Sequence, residues 1–153
     1  MATRPDTFTP AELAAWRGML RASSRLLNEL DEELQRTEGI PLSSYEVLIL
    51  LADAPEQRLR ISDISGSSIL SLSGVSRLVD RLVRDGYVEK VKCDQDRRGA
   101  FAVLTAKGAK VLSTARTTHR RGVRRRFFDL LSDDEVRELG GVWRRLGSGE
   151  PEE

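Results

Sequence analysis

The stretch from Ser73 to Asp85 constrains the fold more than any other part of the sequence. Its apolar residues recur at positions i, i+3, i+4, i+7 and i+8, which is the spacing of one face of an α-helix. Gly86 follows at once and suits a helix end, because glycine readily adopts a positive φ. The apolar set is Val75, Leu78, Val79, Leu82 and Val83, and the opposite face carries Ser73, Ser76, Arg77, Asp80, Arg81 and Arg84. We therefore expect an amphipathic helix with a charged outer face.

The segments on either side of this helix narrow the fold class. Residues 62–69 predict a short helix, although four serines and one glycine lower its helix propensity. After Gly86, extended segments over 87–92 and 100–104 enclose a polar tip at 93–99, which is the pattern of a β-hairpin. A helix, a turn, a second helix and a hairpin in this order are typical of a winged helix-turn-helix.

Longer helices flank this central module. Leucines and Trp16 at helical spacing predict a first helix over residues 11–36, and Gly39 and Pro41 end it. Ser43 with Glu46 predicts a capping box for the second helix, which stops before a proline. We expect residues 56–60 to form a polar loop and the next residue, Ile61, to form at most a single strand bridge.

Two more helices follow the hairpin. Thr105 is placed to cap a long helix, and Ser132 with Glu135 predicts a second capping box for the last helix, which runs to residue 147. The predicted fold is therefore mainly α with a small β-hairpin wing. The length of 153 residues fits a single domain, residues 1–153.

Composition excludes several classes of protein. One cysteine, Cys93, and one histidine, His119, leave no disulfide framework and no metal site built on several Cys or His residues. No apolar run is long enough to cross a membrane, and the first residues do not resemble a signal peptide, so we expect a cytoplasmic protein. The net charge of +1 does not exclude nucleic-acid binding, because a near-neutral total can hide a basic face.

Double-stranded DNA is the partner that the central module favours. Small polar residues on the helix over 73–85 permit close approach to a major groove, and its arginines can reach guanine or phosphate. At the hairpin tip, Arg97 and Arg98 can enter a narrow minor groove, with Asp96 holding a guanidinium in place. The alternative at both places is an ordinary charged surface in contact with solvent.

Three stretches together resemble the MarR family of bacterial transcription regulators: residues 71–82, Asp96-Arg97-Arg98-Gly99, and Leu104-Thr105-Ala106-Lys107-Gly108. The resemblance covers roughly residues 12–147. It implies a homodimer in which the helices of 11–36 and 109–147 dimerise while residues 42–108 form the winged DNA-binding module. It also implies that Arg98 is the wing arginine. The expected DNA-binding residues are Ser71, Ser73, Ser76, Arg77, Arg81, Arg84, Asp96, Arg97 and Arg98.

The flanking helices agree with a dimer because each has a broad apolar stripe that a twofold mate can bury. The expected dimerisation residues are Leu13, Trp16, Leu139, Trp143 and Leu146. The family resemblance also implies a small-molecule effector, a phenolic or aromatic anion, between these helices and the DNA module. Its candidate lining is Trp16, Leu20 and His119 with Arg17 or Arg21 as anion partner; the alternative for Trp16 and His119 is a role in the core or the interface.

Other functions remain as alternatives. A protein-interaction module could keep the same fold, but it would usually lose the positive charge of the helix over 73–85. An enzyme is disfavoured because the sequence carries no Ser–His–acid set, nucleotide-binding loop or metal cluster, and no cofactor is expected. We interpret Cys93 as an incidental small residue rather than a thiol sensor. The six arginines of 116–126 form a solvated face, pair with Asp31, Glu32, Glu33 and Glu38, or contact DNA.

Overall fold

A computed structural model describes the backbone of residues 7–66, 72–93 and 96–147, and the side chains of these residues other than Leu72, Cys93 and 96–98. The described chain is mostly helical with a small antiparallel sheet, which confirms the predicted fold class. In chain order the elements are α1 (Pro10–Glu38), α2 (Leu42–Asp53), β1 (Arg58–Arg60), α3 (Ile61–Gly66), α4 (Leu72–Arg84), β2 (Val88–Cys93), β3 (Asp96–Leu104), α5 (Ala106–Arg126) and α6 (Asp133–Arg145).

The chain divides into two compact units. The first contains residues up to Leu30 and residues from Arg120 onward, whereas the second contains Asp31–His119. Helices α1 and α5 therefore each contribute residues to both units. The predicted helix over 62–69 corresponds to α3, but residues 67–71 lie outside the described part of the chain.

The hydrophobic core lies in the second unit. Helix α2 is buried on several sides, with Val47, Leu48 and Leu51 at most 1% exposed. Helix α4 presents the predicted apolar ridge to this core, and its members Val75, Leu78, Val79 and Leu82 are buried. Val83 was expected on the same ridge, but it is 36% exposed because the core contact is narrower than the apolar face of the helix.

The sheet has the strand order β1-β3-β2, and both pairings are antiparallel. The expected polar loop over 56–60 is wrong for its last three residues: Arg58–Arg60 form β1, and Leu59 pairs with Ala102 of β3. Ile61 begins α3 instead of forming a strand bridge. The hairpin strands also extend further than predicted, to Cys93 and Asp96, with a register shift between Lys92 and Cys93.

Helix starts use both predicted and unpredicted acceptors. Ser132 and Glu135 form the expected capping box of α6, and the hydrogen bonds that Ser132 donates lower the pKa of Glu135. The capping box predicted at Ser43 is absent from α2, whose N-cap is Pro41. The first backbone N–H of α2, from Leu42, instead donates to the Asp31 carboxylate of α1 at 2.7 Å.

Thr105 joins the hairpin to α5. As predicted, its side-chain oxygen caps the helix by accepting the Gly108 N–H at 3.0 Å. The same hydroxyl donates to the Gly86 carbonyl at 2.7 Å, and the Thr105 N–H donates to the Tyr87 carbonyl at 3.1 Å. Gly86 lies two residues after the end of α4 and has a φ of +78°, as its predicted role in ending the helix requires. These bonds fix where α5 leaves the sheet.

The first unit is held partly by a charged network. The Glu29 carboxylate accepts from Arg25 at 2.6 Å and from Arg126 at 3.0 Å, and these hydrogen bonds lower the pKa of Glu29. In the second unit Arg116 pairs with Asp53 at 3.1 Å. Asp53 and Glu29, the acidic residues in these two ion pairs, were not among the partners expected for the arginine-rich segment.

Candidate nucleic-acid interface

The outer face of α4 carries mostly exposed side chains. Arg77, Arg81 and Arg84 are all exposed, and none of them forms an ion pair with another residue of the described chain. Ser73 is exposed and Ser76 is half-buried on the same helix. Because the opposite ridge of α4 is packed in the core, the backbone that carries these arginines is held firmly. The face can therefore offer guanidinium donors to an external anion.

The one carboxylate on this face is already paired. Asp80 accepts from Lys90 of β2, with 2.5 Å between Oδ1 and Nζ. This ion pair joins the charged face of α4 to the hairpin. From the sequence, Asp80 is predicted only to lie on the polar face of α4. Helical spacing gives no indication that Lys90, ten residues later, is its partner.

The hairpin brings its own candidates next in the chain, but their side chains lie outside the described residues. This applies to Asp96, Arg97 and Arg98, for which the structure gives only the backbone as the start of β3. Ser71 also lies outside the described residues, and so does the side chain of Cys93. Their roles remain predictions.

Two arginines that the sequence analysis assigned to a loop lie in strand β1. Arg58 and Arg60 of β1 lie with their guanidinium carbons 5.1 and 5.6 Å from the centre of the Phe101 ring. Arg58 also pairs with Glu56 at 2.7 Å. The alternation Arg58-Leu59-Arg60, with basic residues on one side and an apolar residue on the other, is the signal that could have indicated a strand.

The candidate effector residues lie in different units. Trp16, Arg17 and Leu20 are exposed on α1 in the first unit, and Trp16 is 54% exposed. His119 lies in the second unit, where its ring centre is 4.6 Å from that of Tyr45. Burial lowers the pKa of His119, so the imidazole is held in its neutral form near neutral pH.

An open groove of about 500 Å³ runs along α1 in the first unit. It includes Leu20 and Arg21, which the sequence had put forward for an effector site. The full lining is Leu20, Arg21, Ser24, Arg25, Asn28 and Glu29. The groove thus offers one apolar side chain next to two guanidiniums, of which Arg25 is engaged with Glu29.

The expected dimerisation residues are incompletely covered within the single chain. Leu13, Leu139 and Trp143 are half-buried, whereas Trp16 and Leu146 are exposed. Helix α6 has no fully buried residue. Apolar side chains of α1, and of α6 with its C-cap Leu146, are therefore incompletely covered in the single chain.

The described residues also bear on metal binding and on membrane spanning. They contain no group of three or more His, Cys, Asp or Glu side chains placed to hold a metal ion. None of the helices over 7–66, 72–93 and 96–147 is both long and apolar enough to span a membrane.

Comparison with known proteins gives consistent results. Residues 38–99 match the sequence profile of the MarR family. The crystal structure of AbsC, a MarR family transcriptional regulator from Streptomyces coelicolor, is 32% identical with a TM-score of 0.85, covering 95% of this chain and 96% of that one. Sco3205, a MarR family regulator from the same organism solved in complex with DNA, is 34% identical with a TM-score of 0.88, covering 95% of this chain and 91% of that one.

A curated relative points the same way. The HTH-type transcriptional repressor YetL of Bacillus subtilis (strain 168) is 27% identical over 126 residues, which is 80% of this chain and 75% of the relative. The two structural matches each cover 95% of this chain, so the likeness extends over nearly all of it. The chain belongs to the MarR family of winged helix-turn-helix transcription regulators.

Proposed function

We propose that the protein is a sequence-specific regulator of transcription that binds double-stranded DNA as a homodimer and represses until a small-molecule effector releases it. One observation carries the proposal: α4 exposes three arginines, each without an ion pair in the described chain, on a helix whose other face is locked in the core. Such a helix can enter a major groove and present donors to base edges and phosphates.

The relatives support DNA as the partner and repression as the direction. Sco3205 is described in complex with DNA, and YetL is named as a repressor. By this proposal the protein acts through binding rather than catalysis, needs no cofactor and works in the cytoplasm, where its operator lies.

Each predicted contact has a distinct role. Arg77, Arg81 and Arg84 contact bases and phosphates in the major groove, while the small side chains of Ser71, Ser73 and Ser76 let the helix approach closely. Arg97 and Arg98 of the wing enter the minor groove, and Asp96 limits the rotamers of the neighbouring guanidinium. These assignments extend the family resemblance to this chain.

The uncovered apolar surface of the first unit supports the homodimer. Among the described residues, most of the large apolar side chains that are exposed belong to this unit, whereas the second unit buries its own core. Exposed apolar side chains concentrated in one part of a molecule can mark an interaction surface. A twofold interface between copies of α1 and α6 would bury it, with Leu13, Trp16, Leu139, Trp143 and Leu146 as its apolar members.

Helix α1 carries most of the side chains that we propose for effector binding. Leu20 offers exposed apolar surface, and Arg17 and Arg21 offer guanidiniums on the same helix. This combination suits an aromatic or phenolic anion. A ligand that binds the non-DNA-binding conformation more tightly would shift the population away from the operator.

Selection of bound sequences from the intergenic region beside the protein's own gene tests the proposal. We expect a pseudo-palindrome whose half-sites are centred about 10–10.5 bp apart. Arg98→Ala should bind the selected duplex much more weakly at matched salt. A panel of phenolic carboxylates, added to the titration, tests release.

Three outcomes would contradict parts of the proposal. If no sequence is enriched, the proposed sequence-specific binding is contradicted. A monomeric mass in sedimentation at micromolar concentration would contradict the proposed homodimer. Wild-type affinity in Arg98→Ala would remove the wing assignment while leaving the role of α4 intact.

A further inference from the structure

Asp80 occupies an unfavourable place for a carboxylate on a DNA-reading surface. It lies on α4 three residues after Arg77 and four before Arg84. On an isolated helix, an acidic residue with an arginine four positions later forms a favourable pair. Such a pair would make one arginine unavailable to DNA, and an unpaired carboxylate at this position would repel DNA phosphates.

In the structure, a lysine of the hairpin forms an ion pair with this carboxylate. Lys90 of β2 stands opposite Ala102, a buried residue, so its side chain leaves the sheet on the same face as Ala102. From there its Nζ reaches Asp80 Oδ1 at 2.5 Å. The lysine side chain is 36% exposed and the aspartate 56%, so the pair lies at the surface beside the arginines.

We infer that Lys90 is a positioning residue for DNA binding: it neutralises Asp80 and keeps this carboxylate from capturing Arg77 or Arg84. The inference rests on the proposed function. It assigns a role to a lysine that need not touch DNA itself, because its effect passes through Asp80.

Removal of the lysine therefore has a defined consequence. In Lys90→Gln, Asp80 loses its partner and turns to the arginine four residues along its own helix, while its charge opposes the phosphates. We expect operator affinity to fall about fivefold, within the range that a misplaced surface charge produces. Asp80→Asn removes the charge that Lys90 controls, so this variant should bind at least as tightly as wild type.

The double variant separates this indirect role from a direct phosphate contact. Operator affinity is measured by fluorescence anisotropy for wild type, Lys90→Gln, Asp80→Asn and the double variant. We expect the double variant to lie within about twofold of Asp80→Asn, a coupling that double-mutant cycles detect. An equal loss on removing Lys90 in both backgrounds, no loss in either, or a clear weakening by Asp80→Asn would overturn the inference.

Salt dependence and a matched control sharpen the result. In the Asp80→Asn background, Lys90→Gln should leave the slope of log K against log salt unchanged, whereas each lost phosphate contact would reduce it by about 0.9. Lys92 lies two residues further along β2 and is exposed. Lys92→Gln should change affinity by the same factor whether residue 80 is Asp or Asn.

A measurement without DNA keeps this inference distinct from the proposed function. The NMR signals of the arginine Nε–Hε groups should shift for Arg84 in Lys90→Gln and return in the double variant. If these signals move as expected but the wild type binds no DNA, the proposed function fails and the pairing stands. Unmoved signals with intact operator binding would overturn the role of Lys90 alone, and melting temperatures confirm that each variant is folded.

Discussion

Gly108 is the residue whose replacement has the most directly calculable effect. It lies in the first turn of α5, where its backbone passes close to the end of the hairpin. A Cβ at this position would stand 2.1 Å from the Tyr87 carbonyl oxygen and 2.8 Å from Leu104 Cδ1. Since Cβ contacts under 3.0 Å are essentially never observed, Gly108→Ala requires the start of α5 and the backbone at Tyr87, just before β2, to move apart by nearly 1 Å.

The carbonyl that would be displaced is in use. It accepts the Thr105 N–H at 3.1 Å, so the movement strains the junction as well as the packing. Overpacking against backbone typically destabilises by about 1–3 kcal/mol. Loss of the hydrogen bond lowers the free energy of unfolding by about 1 kcal/mol more. The higher helix propensity of alanine raises the free energy of unfolding by about 1 kcal/mol. We expect a net loss of about 3 kcal/mol, at the upper end because the atom in the way belongs to the backbone.

Thermal unfolding followed by circular dichroism measures this loss. For a chain of this size the melting temperature should fall by roughly 6–12 °C. Gly18→Ala is the matched control, because Gly18 lies within α1 and no atom comes within 4 Å of the position of its Cβ. This control should be as stable as wild type or more stable, by up to about 1 kcal/mol. A Gly108→Ala variant that melts with the wild type would refute the close approach of α5 to the hairpin.

Three further substitutions test contacts between elements of the second unit. Thr105→Ala removes the cap of α5 and a bond to the hairpin end, and urea unfolding should show a loss of about 1–2 kcal/mol; an unchanged midpoint would contradict the cap. Asp31→Ala leaves the Leu42 N–H without its acceptor, and amide exchange at Leu42 should quicken while the α5 amides keep their protection. His119 has a folded pKa below its unfolded value of 6.5, so its contribution to stability is present above pH 6.5 and is lost as pH falls through both values. His119→Phe, which keeps a ring against Tyr45, should therefore lose less stability than wild type between pH 7.5 and 5, and equal losses would contradict the assignment.

The sequence predicted those elements whose signals are local. The period of α4, the turn glycine at position 86 and the caps at Thr105 and Ser132 each rest on residues within a few positions of one another, and the structure agrees with each except at Val83. Exposure of Val83 depends on how much of the ridge the rest of the core covers, which helical spacing does not determine.

Local sequence patterns did not predict the features that depend on residues distant in the chain. Strand β1 has only three residues, and it is fixed by pairing with β3 more than 40 positions later, so Arg58 and Arg60 read as part of a loop. The start of α2 takes its acceptor from Asp31, eleven residues upstream, and the local Ser43–Glu46 pattern therefore misled. The Asp80–Lys90 pair joins two elements in the same way.

The first unit shows what a single sequence can indicate about a partner. Helical spacing predicted apolar stripes on the terminal helices, and the structure leaves Trp16 and Leu146 exposed there. Helical spacing thus predicts where apolar side chains lie, but it does not identify what covers the exposed ones; the proposed homodimer would do so.

The central claim is that the exposed arginines of α4 read DNA sequence. The most direct test compares wild type, Arg77→Ala and Arg36→Ala for binding to the selected operator and to a scrambled duplex of equal length at matched salt. Arg36 is exposed near the end of α1 and serves as the control for lost charge. We expect Arg77→Ala to bind the operator about 10- to 100-fold more weakly and to discriminate less between the two duplexes, with Arg36→Ala close to wild type. An Arg77→Ala protein that binds both duplexes as the wild type does would contradict the claim.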